Sequence, residues 1–135
     1  MLSPTTATIR LTLHVLAATI WVGGQFTLVG LLPVLRAHEG VAQQAARAFN
    51  RIAWPAFGVL VLTGMWNLVD VNVVDAPTSY QVTVFVKIVV AVTAGAAAAA
   101  HTAARSRRFV ALGGALSGLA SIAAVFLGVL LHTGS

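Results

Sequence analysis

Charged residues and cysteines are scarce in this chain. Only 8% of its 135 residues are charged, and Asp and Glu together number 3. Soluble domains are typically about 25% charged, so this composition excludes a globule whose whole surface faces water. The chain has no cysteine, which excludes disulfides, thiolate metal sites and iron–sulfur clusters. It also has no phosphate-binding loop, nucleophile–base pair or paired catalytic carboxylates, so the sequence names no catalytic residue.

Apolar residues make up 59% of the chain and fall into four long runs. The runs cover about residues 9–32, 52–69, 80–100 and 109–131. Each is close to the roughly 20 residues that a helix needs to cross a bilayer. Abundant glycine and alanine suit close helix packing inside a membrane. The pattern predicts an all-α integral membrane protein, a four-helix bundle that forms one domain over residues 1–135.

Arginines flank the apolar runs asymmetrically. Six lie between runs one and two or between runs three and four: Arg36, Arg47, Arg51, Arg105, Arg107 and Arg108. The middle connection has Asp70 and Asp75 and no base. Because cytoplasmic loops carry an excess of basic residues, both termini are predicted outside, the first with Arg10 as its lone base. The amphipathic segment 41–51 is then predicted at the cytoplasmic headgroups, and bases arranged in this way do not indicate a nucleic-acid surface.

His14 lies inside the first apolar run. Trp21 and Gln25 follow it at i+7 and i+11, so the three side chains share one face of a helix. Polar groups on a lipid-facing side are costly, so this face is predicted to look inward. His14 then either hydrogen-bonds within the bundle or binds a ligand, and the spacing leaves both readings open.

Lys87 is a charged residue at membrane depth. It follows Tyr80 by seven residues, which places it about 10 Å below the outer end of its helix. No span holds a carboxylate to neutralise it, so it either snorkels to the headgroups or meets a ligand. On the predicted topology, several polar groups share this outer depth and predict a site for a metal, a haem or an anionic ligand. The predicted cofactor contacts are His14, Lys87, Trp21 and Asn67, and the predicted metal ligands are His14 and His132.

Three further polar or sulfur-containing side chains have an ordinary structural explanation, and for two of them a ligand role is the alternative. His101, at the opposite end of the third run beside Arg105, is either an interfacial histidine or a second ligand. Met65 is either a packing residue or a soft copper ligand. His38, in the first arginine-rich connection, is predicted to be solvated.

Residues 13–24, with the sequence LHVLAATIWVGG, resemble the first-helix signature of the copper resistance protein D (CopD) family. The segments 32–35, 49–53 and 62–64, and Lys87, continue the likeness in order, so it covers most of the chain. The chain looks like a stand-alone four-helix module of that family. It is also similar to HemJ, the membrane protoporphyrinogen oxidase, and more distantly to four-helix b-type cytochromes.

The resemblance implies copper uptake or tolerance at the bacterial inner membrane, or a b-type haem with His14 as axial ligand and Lys87 at the same site. Two departures are visible. The only methionines are Met1 and Met65, unlike a methionine-rich copper conduit, and no histidine pairs face each other at both membrane depths.

Three functional classes follow from the sequence. The first is a membrane protein that handles copper or holds haem, with a copper chaperone as one partner. The second is a haem-dependent enzyme or electron carrier that acts on a quinone or a porphyrin. The third is a structural subunit without cofactor. Copper and haem stay undecided, as does enzymatic activity, and the glycine-rich helices would permit a homodimer in the lipid bilayer.

Overall fold

The computed structural model describes residues 3–134, and its regular elements over that range are all helical. The four long helices are α1 (Thr6–Leu35), α2 (Val41–Val71), α3 (Thr78–Ala103) and α4 (Arg107–Thr133). A short 3-10 turn, Val73–Asp75, precedes α3. Each long helix has the length and apolar composition to cross a membrane. An all-helical chain with four helices able to span a membrane is therefore confirmed.

The helices extend beyond the predicted apolar runs. They contain 26 to 31 residues, and 26 residues already measure about 39 Å, more than the roughly 30 Å hydrocarbon core. Local caps explain two of the early starts. Thr5 and Thr8 form a reciprocal capping box at the start of α1, and Ser106 accepts from the Phe109 N–H at the start of α4. The amphipathic segment 41–51 is helical and continuous with α2.

The chain divides into two compact units between Val71 and Asn72. In the first unit, α1 and α2 run antiparallel, because Arg10 meets Asp70 near one end and Gly24 faces Phe49 near the other. The connection between them includes Gly40 at φ +74°, a left-handed conformation that glycine adopts without a steric cost. In the second unit, α3 and α4 form a second helical pair. One bundle built from all four helices stays a prediction.

A single π-helical turn, Thr19–Gly23, interrupts α1. Such a turn adds one residue to the helix, so positions after it no longer follow the α-helical count from His14. Trp21 lies within the turn and is only 4% exposed. Its ring packs on Phe57 at 4.6 Å and on Trp54 at 5.6 Å between centroids. These three rings form an aromatic cluster in the first unit.

Small residues fill the buried positions of the second unit. The buried residues of α3 and α4 are Val84, Ala94, Gly95, Ala97, Ser117 and Ser121. Side chains of this size let two backbones approach closely, which is how helices associate where lipid removes the hydrophobic drive. Large apolar side chains on both units instead face outward, among them Leu62, Phe85 and Phe126, each more than 60% exposed. That exterior suits contact with lipid.

Candidate functional site

His14 on α1 is held by Thr63 on α2. The His14 Nδ1 lies 2.7 Å from the Thr63 Oγ1, and that hydroxyl lies 2.6 Å from the Val59 carbonyl oxygen. Two oxygens at that separation need a proton between them, so the single hydroxyl proton of Thr63 goes to Val59. Thr63 must then accept from His14, and the imidazole carries its proton on Nδ1.

This tautomer gives His14 the chemistry of a ligand. A neutral imidazole protonated on Nδ1 keeps its lone pair on Nε2. Histidines that bind metals are commonly oriented in this way, with the other ring nitrogen donating to a fixed acceptor. Thr63 is 5% exposed and His14 is half-buried, so the acceptor is enclosed between the two helices. Thr63 was not among the predicted site residues and belongs only to the CopD-like segment 62–64.

Arg10 lies one turn before His14 on α1 and is only 5% exposed. Its Nη2 lies 2.7 Å from the Asp70 Oδ2 at the end of α2, and its guanidinium lies 5.8 Å from the centre of the Trp66 ring. Its Nε is buried with no hydrogen-bond partner among the described residues. The prediction of Arg10 as the lone base of an outer terminus missed this role, since Arg10 belongs to the helical interface.

The interface of α1 and α2 is therefore polar at one end and aromatic at the other. The Arg10–Asp70 ion pair comes first, then the His14–Thr63 hydrogen bond, then the ring cluster around Trp21. Of the predicted cofactor contacts, His14 and Trp21 both belong to this interface. Asn67 lies one turn after Thr63 on α2 and is half-buried.

Lys87 belongs to the second unit and approaches α4. A β-carbon added at Gly128 would lie 3.0 Å from the Lys87 Nζ, so the amine lies beside a helix position that has no side chain. Lys87 is half-buried, and His132, one turn after Gly128, is exposed in the last turn of α4. The shared site of Lys87 and His14 stays a prediction, as does a ligand role for His132.

His101 joins the facing ends of α3 and α4. Its Nδ1 lies 2.6 Å from the Val110 carbonyl oxygen, which can only accept, so His101 also carries its proton on Nδ1. β-carbons at Gly113 and Gly114 would lie 3.1 Å and 3.2 Å from atoms of His101. Gly113 gives room to the His101 backbone and Gly114 gives room to its imidazole. Both readings of His101, a membrane-interfacial histidine and a second ligand, stay predictions. Met65 is 59% exposed.

The donor set can be compared with what each cofactor needs. Among residues 3–134, no three His, Cys, Asp or Glu side chains group closely enough to hold a metal ion. A haem iron needs only one or two protein ligands, because the porphyrin supplies the other nitrogens. One imidazole with a fixed tautomer meets the protein's share of a haem site, and the choice between haem and copper stays a prediction.

No family model, curated protein or solved structure matches this chain. The likeness to CopD, HemJ and b-type cytochromes therefore stays a prediction that depends on the residues quoted for it. The hydrogen bond between His14 and Thr63 does not depend on that likeness, because it follows from interatomic distances alone.

Proposed function

We propose that this protein is a multi-pass protein of the bacterial inner membrane that binds a b-type haem through His14 and takes part in membrane redox chemistry. The observation that carries this proposal is the hydrogen bond from His14 to Thr63, which fixes the orientation and the tautomer of the imidazole between α1 and α2. When bound, haem would supply one-electron chemistry toward a quinone or a porphyrin.

The chain's own residues would hold and orient such a group. Thr63 fixes the ring of His14 through a hydroxyl that is itself bonded to the α2 backbone. Arg10 and Lys87 are the two basic side chains withdrawn from water in the described helices, at 5% exposure and half-buried respectively. Either can donate a charge-assisted hydrogen bond to a carboxylate such as a haem propionate, and a low local dielectric strengthens that bond.

The proposed topology places both termini outside and the four helices in one bundle. The arginine-rich connections support this orientation. His14 is the ninth residue of α1, about 12 Å along the helix from its start. On the proposed topology it would lie in the outer half of the membrane.

Copper handling is the second candidate, and it rests on the CopD-like residues. A structural subunit without cofactor is the third, since the His14–Thr63 bond would also lock two helices together. An absorption spectrum separates the three. A haem protein shows a Soret band, with sharp α bands on reduction. A copper protein lacks these bands but contains bound copper. A structural subunit shows no haem bands and contains no bound metal.

The decisive variant is His14→Ala, with His38→Ala as its matched control. His38 is exposed in the connection between α1 and α2, so its loss leaves the interface intact. We expect His14→Ala to lose the reduced haem spectrum while it inserts and elutes like the parent protein. His38→Ala should retain the spectrum. Full haem content in His14→Ala would remove the ligand role and return His14 to helix packing.

A further inference from the structure

A groove of about 480 Å³ runs along the outside of the first unit between α1 and α2. Eight of its nine lining side chains are apolar and the ninth is Arg51. Its walls include Leu16 and Ile52, which are 56% and 58% exposed. Since α1 and α2 are antiparallel, Ile20 and Arg51 line one end of the groove and Leu13 and Val59 line the other.

The end at Arg51 carries uncompensated positive charge. Arg47 lies one turn before Arg51, so the two exposed guanidinium groups share a face of α2. Within residues 3–134, the one ion pair joins Arg10 to Asp70, so Arg47 and Arg51 have no carboxylate partner there. The nearby connection adds Arg36 and the single carboxylate Glu39. An anion that reaches this end therefore meets at least two free cations.

Pro55 adds a second polar feature at the same end. Proline has no backbone N–H, so the carbonyl four residues earlier loses its helical donor. That carbonyl belongs to Arg51, and both residues line the groove. The end thus offers cations for a phosphate and an acceptor for a hydroxyl, and the rest of the groove offers apolar walls.

From this combination we infer that the groove between α1 and α2 is a binding site for an anionic glycerophospholipid. Its phosphate contacts Arg51 and Arg47, and one acyl chain lies along Leu16, Ile20, Ile52 and Val59. Basic pockets between membrane helices select lipid headgroups in this way. The site is separate from His14 and does not depend on the proposed haem.

The test is native mass spectrometry of the purified protein with equimolar phosphatidylglycerol and phosphatidylcholine of identical acyl chains. One basic residue near a membrane surface changes the affinity for anionic lipid about fivefold. We expect phosphatidylglycerol to be retained at least about fivefold over phosphatidylcholine. Arg51→Gln should lower that ratio about fivefold, whereas Arg51→Lys should retain the preference because it keeps the charge.

Two controls assign the preference to the groove. Arg108→Gln removes an exposed arginine from the first turn of α4, in the other unit, and should leave the ratio unchanged. Ile52→Trp fills the exposed wall and should reduce the retention of both lipids. Helical circular dichroism confirms that each variant folds.

Other results would overturn the lipid site. Equal retention of both lipids by the parent protein would mean that the groove does not select a headgroup. Displacement of the lipid by inorganic phosphate alone would indicate an anion site without an acyl chain. A dimer without lipid that Ile52→Trp dissociates would assign the groove to a second copy of the chain.

Discussion

Replacing Thr63 by valine tests the tautomer of His14 directly. The substitution keeps the shape of the side chain and removes the hydroxyl that accepts from the His14 Nδ1 at 2.7 Å. An enclosed N–H left without an acceptor costs about 1–3 kcal/mol in soluble proteins. In a membrane, hydrogen bonds between helices average only about 0.6 kcal/mol, with a maximum near 1.7, because the unfolded state also finds partners. We therefore expect Thr63→Val to lower the free energy of unfolding by about 1 kcal/mol.

The first assay is nitrogen NMR of protein with labelled imidazole rings. A protonated ring nitrogen and a bare one resonate far apart, so the spectrum reports the tautomer of each histidine. We expect His14 and His101 to carry the proton on Nδ1 in the parent protein, because both bond through that atom. In Thr63→Val, only His14 should change its spectrum. Titration with sodium dodecyl sulfate measures the loss of stability in parallel.

The second assay is cofactor affinity, with Thr63→Ser as the control. Removal of a group that orients a ligating histidine typically weakens metal binding about 10–100-fold. Serine keeps the hydroxyl and should keep both the tautomer and the affinity. A parent protein whose His14 carries its proton on Nε2 would refute the proton assignment. An unchanged His14 spectrum in Thr63→Val would refute the hydrogen bond itself.

Three further predictions concern topology, charge and packing. Because the chain has no native cysteine, single cysteines introduced at Ser79 and Ser106 report its orientation in the membrane. The cysteine at position 79 should react with an impermeant thiol reagent in intact cells, and the one at position 106 should react only after lysis. The reverse pattern would contradict the orientation predicted from the arginines. Ser135, a third such position, lies outside the described residues. Lys87→Met should reduce cofactor occupancy in a folded protein, whereas unchanged occupancy would show that the amine only snorkels. Gly113→Ala places a methyl group 3.1 Å from the His101 backbone and should lower the free energy of unfolding by about 1–3 kcal/mol in the detergent titration. The control Gly58→Ala, with nothing within 4 Å of the added β-carbon, should not destabilise the protein. Equal losses of stability in the two variants would contradict the close packing of Gly113 against His101.

The helices were predictable because run length and composition are local properties. A stretch near 20 apolar residues must satisfy its backbone internally in lipid, so the four helices followed from the sequence without any tertiary contact. The residues at which the helices begin were harder to predict. The capping box of Thr5 and Thr8 is visible in the sequence, but only as one of several threonine pairs near the N-terminus.

Only the part of the candidate site that lies on α1 was predictable from the sequence. Helical spacing placed His14 and Trp21 on an inward face, and Trp21 is indeed 4% exposed. Their partners come from α2, and Thr63 and Asp70 lie about 50 to 60 residues away in the chain. No local pattern encodes such a pairing. A usable signal for Arg10 existed, since it precedes His14 by four residues and therefore shares its helix face.

The π turn at Thr19–Gly23 holds one extra residue between two segments of α1 that both pack on α2. Before the turn, α1 is docked on α2 through Arg10 and His14, and after it through the close approach of Gly24 to Phe49. Deleting one residue within Thr19–Gly23 would restore a plain α-helix, because the wide turn takes up one extra residue. The residues on either side would keep their direction towards α2, so both docked halves would retain their partners. Related chains should therefore tolerate the loss of one residue in this turn, whereas one inserted in the regular helix before it would rotate the two halves by about 100° relative to each other.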